Sequence, residues 1–339
     1  MSFSHPRQSS VDLDSPGRPF DNIINFRDVG RTINQLVGKR VLKEGILFRS
    51  ARLDDASERD KRRLTDELHI ATIIDLRSST EHQMATTKRL SELAAASPSA
   101  SSSTPPTPTT NDIHLIDLPH VHRFPVSLTG KAFERTLLWR LDWWNFFKVL
   151  ALAASGYRTD AVLIVGQQVM SPRGLIGLGI DTLDSSFGEM KTIFDLFSTP
   201  TTQNLDDQDP SSSPPPPSSS SSDDNISTPY PIIIHCTQGK DRTGLIILLL
   251  LLLVADVVPI EAMTTDYVRS EGELVIEMEE RMKEVRLLGL SEDYTKCPDG
   301  FTGRICEHLD KRYGGVEGYL GLIGVGREKV ERIRRVLLA

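Results

Sequence analysis

The sequence feature that most constrains the fold is residues 231–254, a short strand pattern joined through a polar loop to a long apolar run. Pro231 precedes three isoleucines, which predict a buried β-strand, and residues 245–254 predict a buried helix. Between them stand His235-Cys236-Thr237-Gln238-Gly239-Lys240-Asp241-Arg242-Thr243-Gly244. A glycine-containing loop that leads into a helix N-terminus directs backbone N–H groups at one point, which favours an anion such as phosphate.

The side chains of this loop predict a cysteine nucleophile. The thiolate is the reactive form of cysteine, and a helix N-terminus, a histidine and an arginine each stabilise it, as His235 and Arg242 would for Cys236. Arg242 offers two parallel N–H donors that match two phosphoryl oxygens. We expect the hydroxyl of Thr243 to donate to the sulfur when the thiolate leaves, and Gly239 to let the loop fold back with its amides inward.

The extended pattern H-C-x5-R-T-G between a strand and a helix resembles the signature of the cysteine-dependent protein tyrosine phosphatase superfamily. Three earlier blocks, at residues 25–28, 48–51 and 74–78, together with residues 313–320, are similar to one branch of it. That branch is the group of bacterial and fungal phosphatases whose loop reads H-C-T-x-G-K-D-R-T-G, and the resemblance covers most of the ordered chain.

The resemblance implies hydrolysis of phosphomonoesters through a phosphorylated Cys236, without metal or cofactor. The implied substrates are phosphotyrosine or phosphoserine/threonine proteins and phosphoinositides, with Lys240 as a second cation for a multiply charged head group. No cluster of residues has metal-ligand spacing. Five further loop residues and two at the end of a predicted strand over 71–78 are expected to bind phosphate or substrate: Thr237, Gln238, Gly239, Lys240, Gly244, Asp75 and Arg77.

The general acid stays open among four aspartates, because the chain has no Trp-Pro-Asp triplet of the kind most superfamily members use. Asp241 is favoured since the loop itself would hold it near the leaving oxygen. Asp75 closes a predicted strand, Asp28 lies in the first block, and Asp117 is expected at the end of a short apolar strand. Each of them could instead accept structural hydrogen bonds, since ion-pair networks also collect at such sites.

Alternating strand and helix patterns over residues 20–339 predict one α/β domain with a mostly parallel central sheet flanked by helices. Residues 94–111 and 199–228, rich in serine and proline, are expected to be disordered insertions, and residues 1–19 a flexible tail. Residues 136–150 hold all three tryptophans of the chain. They fit a helical lid over the site, a helix that contacts a membrane surface transiently, or plain core.

Composition narrows the function classes. A net charge of −7 argues against nucleic acid as the main partner. Three cysteines do not make a disulfide framework and residues 1–19 lack a signal-peptide pattern, so a cytoplasmic location is expected. Residues 245–254 are too few to span a membrane. Two alternatives to a phosphatase are a non-catalytic phosphate-binding adaptor and a rhodanese or arsenate reductase with a similar loop; the oligomeric state is not predicted.

Overall fold

The computed structural model describes residues 20–96, 113–199 and 228–339. Its central sheet has the strand order β1-β2-β5-β3-β4, in which β1 is antiparallel to β2 and every other neighbouring pair is parallel. The strands are β1 (Arg27–Asp28), β2 (Leu47–Ser50), β3 (Thr72–Asp75), β4 (His122–Pro125) and β5 (Ile232–His235). The predicted α/β architecture with a mostly parallel sheet is therefore confirmed.

Helices cover both faces of this sheet. They are α1 (Val29–Val37), α2 (Glu58–Arg62), α3 (Ser79–Ala96), α4 (Lys131–Trp139), α5 (Trp143–Ala154), α6 (Arg158–Val165), α7 (Ser171–Ser185), α8 (Phe187–Phe197), α9 (Asp241–Leu252), α10 (Ile260–Glu273), α11 (Met278–Leu287), α12 (Phe301–Tyr313), α13 (Val316–Leu322) and α14 (Arg327–Leu337). Short π-helical turns (Arg63–Glu67 and Gly166–Met170) continue α2 and α6, and 3-10 turns (Val275–Glu277 and Glu292–Thr295) flank α11.

The core is organised around β5, the strand that precedes the cysteine loop. Its residues are fully buried, and side chains alternate between the two faces of the sheet. Ile232 and Ile234 join the larger cluster, which includes the leucines of α9, whereas Ile233 packs in a second cluster with Phe48 and Ile73. The strand and the buried helix predicted from residues 231–254 are thus both present, with the loop held between two apolar layers.

Some expectations fall outside the described residues. The N-terminal tail, residues 97–112 and residues 200–227 are among these, which includes most of both expected insertions. Ala94, Ala95 and Ala96, expected to begin the first insertion, instead continue helix α3. The strand expected to end at Asp117 is also wrong: Asp117 lies in an exposed loop and the strand begins at His122.

Helices α4 to α7 have a small core of their own, formed by Phe133, Leu137, Leu141, Val149, Ala161 and Val169. Residues 136–150 are divided between α4 and α5, with Asp142 capping α5 through a bond to the N–H of Asn145. Within the described residues, Asp160–Ser185 is long and apolar enough to span a membrane by length and composition. It is interrupted at Gly174, whose φ is 62° and ψ 177°, and its Asp181 is buried against Arg140 and Arg173.

A buried ionic network fixes the first two sequence blocks to the loop. The carboxylate of Asp266 accepts from Arg27 Nε at 2.7 Å and from Arg49 Nη1 at 2.5 Å. Arg49 Nη2 then donates to the carbonyl of Gly239 at 2.8 Å. All three charged side chains are at most 2% exposed. Burial alone would raise the pKa of Asp266, but the two guanidinium groups lower it. The network ties α10 and the sheet edge to the cysteine loop.

We predict that Asp266→Asn lowers the free energy of unfolding by about 3–5 kcal/mol, because it leaves two buried guanidinium groups without a counter-charge. Denaturant titration measures the change. Glu44→Gln is the matched control, since Glu44 pairs with Arg31 where both side chains are about a third exposed; it should cost under about 1 kcal/mol. Equal effects of the two variants would contradict the role given to Asp266.

Candidate active site

The loop from Cys236 to Arg242 owes its shape to Gly239. This residue has φ of 66°, in the left-handed region, and a Cβ there would lie 2.1 Å from the carbonyl oxygen of Ser50. Two further contacts fix the loop: Asn25 Nδ2 donates to the Gln238 carbonyl at 2.9 Å, and Arg52 N donates to the Thr237 carbonyl at 3.1 Å. The expectation that Gly239 folds the loop back is confirmed, and its N–H donates to Cys236 Sγ at 3.2 Å.

Several backbone amides of the loop have no protein acceptor among the residues that the structure describes. These are the N–H groups of Thr237, Gln238, Lys240, Asp241 and Arg242. They lie on either side of Gly239 in one tight turn, and the last two open helix α9, whose positive dipole end adds to the field of these amides. Unpaired amides of this kind form a nest suited to a phosphate group. Cys236 lies in the same turn and is 2% exposed.

Arg242 is held by Glu81, which the sequence analysis missed. Its Nη1 and Nη2 donate to the two carboxylate oxygens of Glu81 at 2.6 Å each, and Nη1 also donates to the carbonyl of Leu76 at 3.3 Å. The edge of the guanidinium formed by Nε and the remaining hydrogen of Nη2 has no acceptor among the described residues. This side edge is therefore the pair of parallel donors that can bind two phosphoryl oxygens, as expected for Arg242.

Glu81 is itself fixed in place at the start of α3. Its carboxylate accepts from the N–H and the hydroxyl of Ser78, both at 2.9 Å, and the hydroxyl of Thr237 donates to its other oxygen. Burial alone would raise the pKa of Glu81, but Arg242 lowers it to about 2. The pattern Ser78-x-x-Glu81 after a strand is the signature of a capping box and could have predicted this position.

His235 and Asp75 form a buried pair behind the loop. His235 Nε2 lies 3.5 Å from Asp75 Oδ2, and both side chains are fully buried. Burial lowers the pKa of His235 to about 4, despite the opposing effect of Asp75, so the ring is neutral at pH 7. The ring makes no hydrogen bond to the sulfur; its Nδ1 lies 3.3 Å from the Cys236 carbonyl oxygen. A neutral ring supplies no positive charge to the thiolate, so the expected stabilisation of Cys236 by His235 stays a prediction.

Three further loop residues have roles other than those expected. Lys240 is fully buried, and its Nζ donates to the carbonyls of Tyr294 at 3.2 Å and Lys296 at 2.5 Å, so it anchors residues 292–296 rather than facing a substrate. Gly244 N donates to the carbonyl of Lys240 within helix α9 and is unavailable to a phosphate. Thr243 Oγ1 is buried without a hydrogen-bond partner among the described residues, so the expected bond to the sulfur is not formed.

Asp241 is the only one of the four aspartate candidates that lines the cavity above Cys236. It accepts from the hydroxyl of Tyr267 at 3.3 Å and lies 3.6 Å from Lys240 Nζ. Asp28 caps helix α1 and accepts from Gly45 N, and Asp117 is exposed in its loop. Burial would raise the pKa of Asp75, but contacts with His235 and Arg77 lower it well below its usual range, so it stays ionised.

Arg77, expected to bind substrate, does line the cavity, but it is paired. Its Nη1 and Nη2 donate to Asp54 at 2.5 and 3.0 Å, and Nη2 also donates to Asp75 at 2.8 Å. Asp75 lies behind it and does not line the cavity, so its expected contact with substrate is wrong. Both residues serve to connect β3 to the loop before α2.

The cavity above the loop has a volume of about 580 Å³ and a mostly apolar wall. Cys236, Thr237, Gln238, Asp241 and Arg242 line it. Its apolar wall comes from the cover helices α4 and α7 and from the end of α11, through Phe133, Leu137, Leu175, Leu178, Leu287 and Leu288. Of residues 136–150, Leu137 of α4 lines the cavity and no residue of α5 does, so only the α4 part lies where a lid is expected. A phosphate group at the loop would be joined to an aromatic or aliphatic group above it.

Comparisons with known proteins place these features in a family. The model of the tyrosine phosphatase family matches residues 18–131 and 221–339. The triple specificity protein phosphatase PtpB of Mycobacterium tuberculosis is 32% identical over 123 residues, which cover 32% of this chain and 44% of that protein. A tyrosine-protein phosphatase of Nostoc commune is 32% identical over 115 residues, covering 30% and 37%. The chain thus spans less than half the length of these relatives. Helices α4 to α8 lie almost wholly outside the family match.

We predict that Glu81→Gln lowers kcat for a nitrophenyl phosphate by roughly 10-fold or more, because Arg242 loses the clamp that orients its side edge. KM should not rise, since removing a negative charge beside the anion site favours ground-state binding. Steady-state kinetics give both constants. Glu92→Gln is the matched control: Glu92 lines the same cavity and pairs with Arg89, but does not contact Arg242. An unchanged kcat for Glu81→Gln would show that the clamp is not needed.

Proposed function

Because the chain belongs to the tyrosine phosphatase family, we propose that it hydrolyses phosphomonoesters in two steps through a phosphocysteine at Cys236. In the first step the thiolate attacks phosphorus, the S–P bond forms and the bond to the leaving oxygen breaks. In the second step water attacks phosphorus, the S–P bond breaks and inorganic phosphate is released with the thiolate restored.

One observation carries this proposal. The sulfur, the unpaired amides of the loop and the free side edge of Arg242 belong to one turn at the floor of the cavity. Equatorial phosphoryl oxygens could then accept from the amides and from Arg242 while the sulfur approaches opposite the leaving group. Asp241 lines the same cavity, which supports it as the acid that protonates the leaving oxygen.

The proposed substrates are phosphotyrosine proteins, with phosphoserine/threonine proteins and phosphoinositides as further substrates. The apolar wall of the cavity supports an aryl phosphate, because a phenyl ring above the loop would contact leucine and phenylalanine side chains. A charged head group would not meet Lys240, which is buried. Lys88 and Arg89 of α3 line the cavity and are each about half exposed, but both pair with Glu92, so a head group would compete with that carboxylate for them.

The other candidate functions differ from a phosphatase either in lacking turnover or in the substrate they use. A phosphate-binding adaptor would keep the loop amides and Arg242 but release no phosphate. A rhodanese or an arsenate reductase would use Cys236 on sulfur or arsenate. The presence of a nucleophile, an anion nest and a carboxylic acid at one cavity floor favours hydrolysis over the adaptor.

We predict that the purified chain releases inorganic phosphate from a nitrophenyl phosphate in the presence of a metal chelator, and that Cys236→Ser lowers kcat by roughly 10³-fold or more. A serine hydroxyl is a far weaker nucleophile at neutral pH. Cys306→Ser, a half-buried cysteine on α12 away from the cavity, is the matched control and should keep full activity. Phosphate binding without release from the wild type would favour the adaptor.

We predict that Asp241→Asn loses roughly 10²-fold in kcat on an alkyl phosphate and much less on a nitrophenyl phosphate. An alkoxide is a poor leaving group that needs a proton, whereas nitrophenolate leaves without one. A leaving-group series measures the difference, with Asp117→Asn, an exposed position outside the cavity, as the control. The same loss on both substrates would remove Asp241 from the role of general acid.

A further inference from the structure

Helix α5 presents apolar side chains on both of its faces. Phe146, Val149 and Leu152 pack into the small core formed by helices α4 to α7. The opposite face carries large apolar residues that are 44–69% exposed: Trp143, Trp144, Phe147 and Leu150. A helix that is apolar all round is normally buried on all sides. In this structure the outward face has no covering element among the described residues.

Two further exposed aromatic residues flank α5 in the sequence, and the six residues are together called the aromatic face: Trp139, Trp143, Trp144, Phe147, Leu150 and Tyr157. Trp139 is 75% exposed and Tyr157 61%. The rings contact one another: the centroids of Trp143 and Trp144 are 4.4 Å apart, and those of Trp143 and Phe147 are 6.3 Å apart. A cluster of exposed apolar residues such as Trp143, Trp144 and Phe147 marks an interaction site, unlike apolar residues scattered singly.

The charges around the aromatic face indicate what covers it. Residues 131–157 contain four cationic and two acidic residues, a net charge of +2 in a chain whose net charge is −7. Lys131, Arg135 and Lys148 are exposed, and within the described part of the chain no carboxylate lies at ion-pair distance from any of them. Exposed cations without a counter-charge, in the same stretch of an acidic protein as the exposed tryptophans, favour a partner surface of opposite charge.

We propose that the aromatic face docks on an anionic lipid surface, with helix α5 lying in the interface plane. Tryptophan and tyrosine partition to the boundary between head groups and acyl chains, and lysine or arginine beside them contacts anionic head groups. A second copy of the chain fits less well, since a two-fold contact would bring the cations of two faces together. The break at Gly174 and the buried, paired Asp181 disfavour insertion of Asp160–Ser185 across the membrane.

This docking surface is separate from the cavity floor and does not depend on the proposed reaction. None of the six residues of the aromatic face lines the cavity. The face therefore adds a property to the chain that the loop chemistry does not require. Binding can be measured on the Cys236→Ser protein as well as on the wild type, so a failure of catalysis and a failure of docking are distinguishable.

The tryptophans themselves provide the test, because all three in the chain belong to the aromatic face. The full chain is titrated with phosphatidylcholine vesicles with and without phosphatidylserine. We expect a blue shift of tryptophan emission and quenching by lipids brominated near the head group, both stronger with phosphatidylserine and weaker at high salt. Absence of a shift on anionic vesicles overturns the proposal.

Two variants that keep the tryptophans sharpen the result. Phe147→Ala/Leu150→Ala should lower the vesicle partition coefficient by roughly 10-fold or more, because it removes apolar area that would be buried in lipid. Lys148→Glu should weaken binding to anionic vesicles only. The matched control is Val268→Ala/Leu322→Ala, which removes two exposed apolar side chains elsewhere and should bind like the wild type. Equal losses in the control contradict the assignment.

The same samples test the alternative partner of the aromatic face, a second copy of the chain. Sedimentation velocity without lipid should give the same molar mass for the wild type and for Phe147→Ala/Leu150→Ala. If the wild type self-associates and this variant does not, the face is an interface between copies of the chain and the lipid proposal is wrong. Melting temperatures equal to that of the wild type would show that Phe147→Ala/Leu150→Ala and Val268→Ala/Leu322→Ala, which shorten exposed side chains, remain folded.

Discussion

The position of the cysteine loop depends on the buried guanidinium of Arg49, which donates a hydrogen bond to the backbone of the loop. One of its nitrogens bonds to Asp266 and another to the carbonyl of Gly239. Gly239 in turn lies so close to the Ser50 carbonyl that no side chain fits between them. Burying charges of this kind is costly and is compensated only when every partner is in place. The position of the loop is therefore set by its contacts with strand β2 and, through Arg49 and Asp266, with helix α10.

A second constraint acts on the arginine that would hold the phosphoryl group. Glu81 occupies the two outer nitrogens of Arg242 and leaves the Nε edge open, so the guanidinium plane is set before any substrate arrives. An oriented donor avoids reorganisation in the transition state, which is the main way in which polar groups accelerate reactions. The clamp also couples helix α3 to the loop, because Glu81 caps that helix through Ser78. The apolar cover helices then restrict access to this prearranged floor.

Local sequence patterns predicted those structural features that are determined by neighbouring residues in the chain. The three isoleucines of β5, the leucines of α9 and the positive φ of Gly239 follow from β-propensity, apolar runs and loop chemistry. Roles that depend on distant partners were not predictable in this way. Lys240 was expected to meet substrate, yet its ammonium bonds to carbonyls more than fifty residues later. Glu81 was missed because its partner Arg242 is brought beside it only by the pairing of β3 with β5. The exposed tryptophans of α5 could not be told from core residues, since the pattern is apolar on both faces.

The central claim, a covalent phosphoenzyme at Cys236, is tested most directly by rapid acid quench of the wild-type chain during turnover of a nitrophenyl phosphate. Quenched protein is digested and its peptides are analysed by mass spectrometry. The account predicts a burst of nitrophenolate that approaches one equivalent if hydrolysis of the intermediate limits the rate, and a phosphoryl group on the peptide that contains Cys236. Turnover with a phosphoryl group on any other residue, or with phosphate released and no phosphorylated peptide at any quench time, would contradict it.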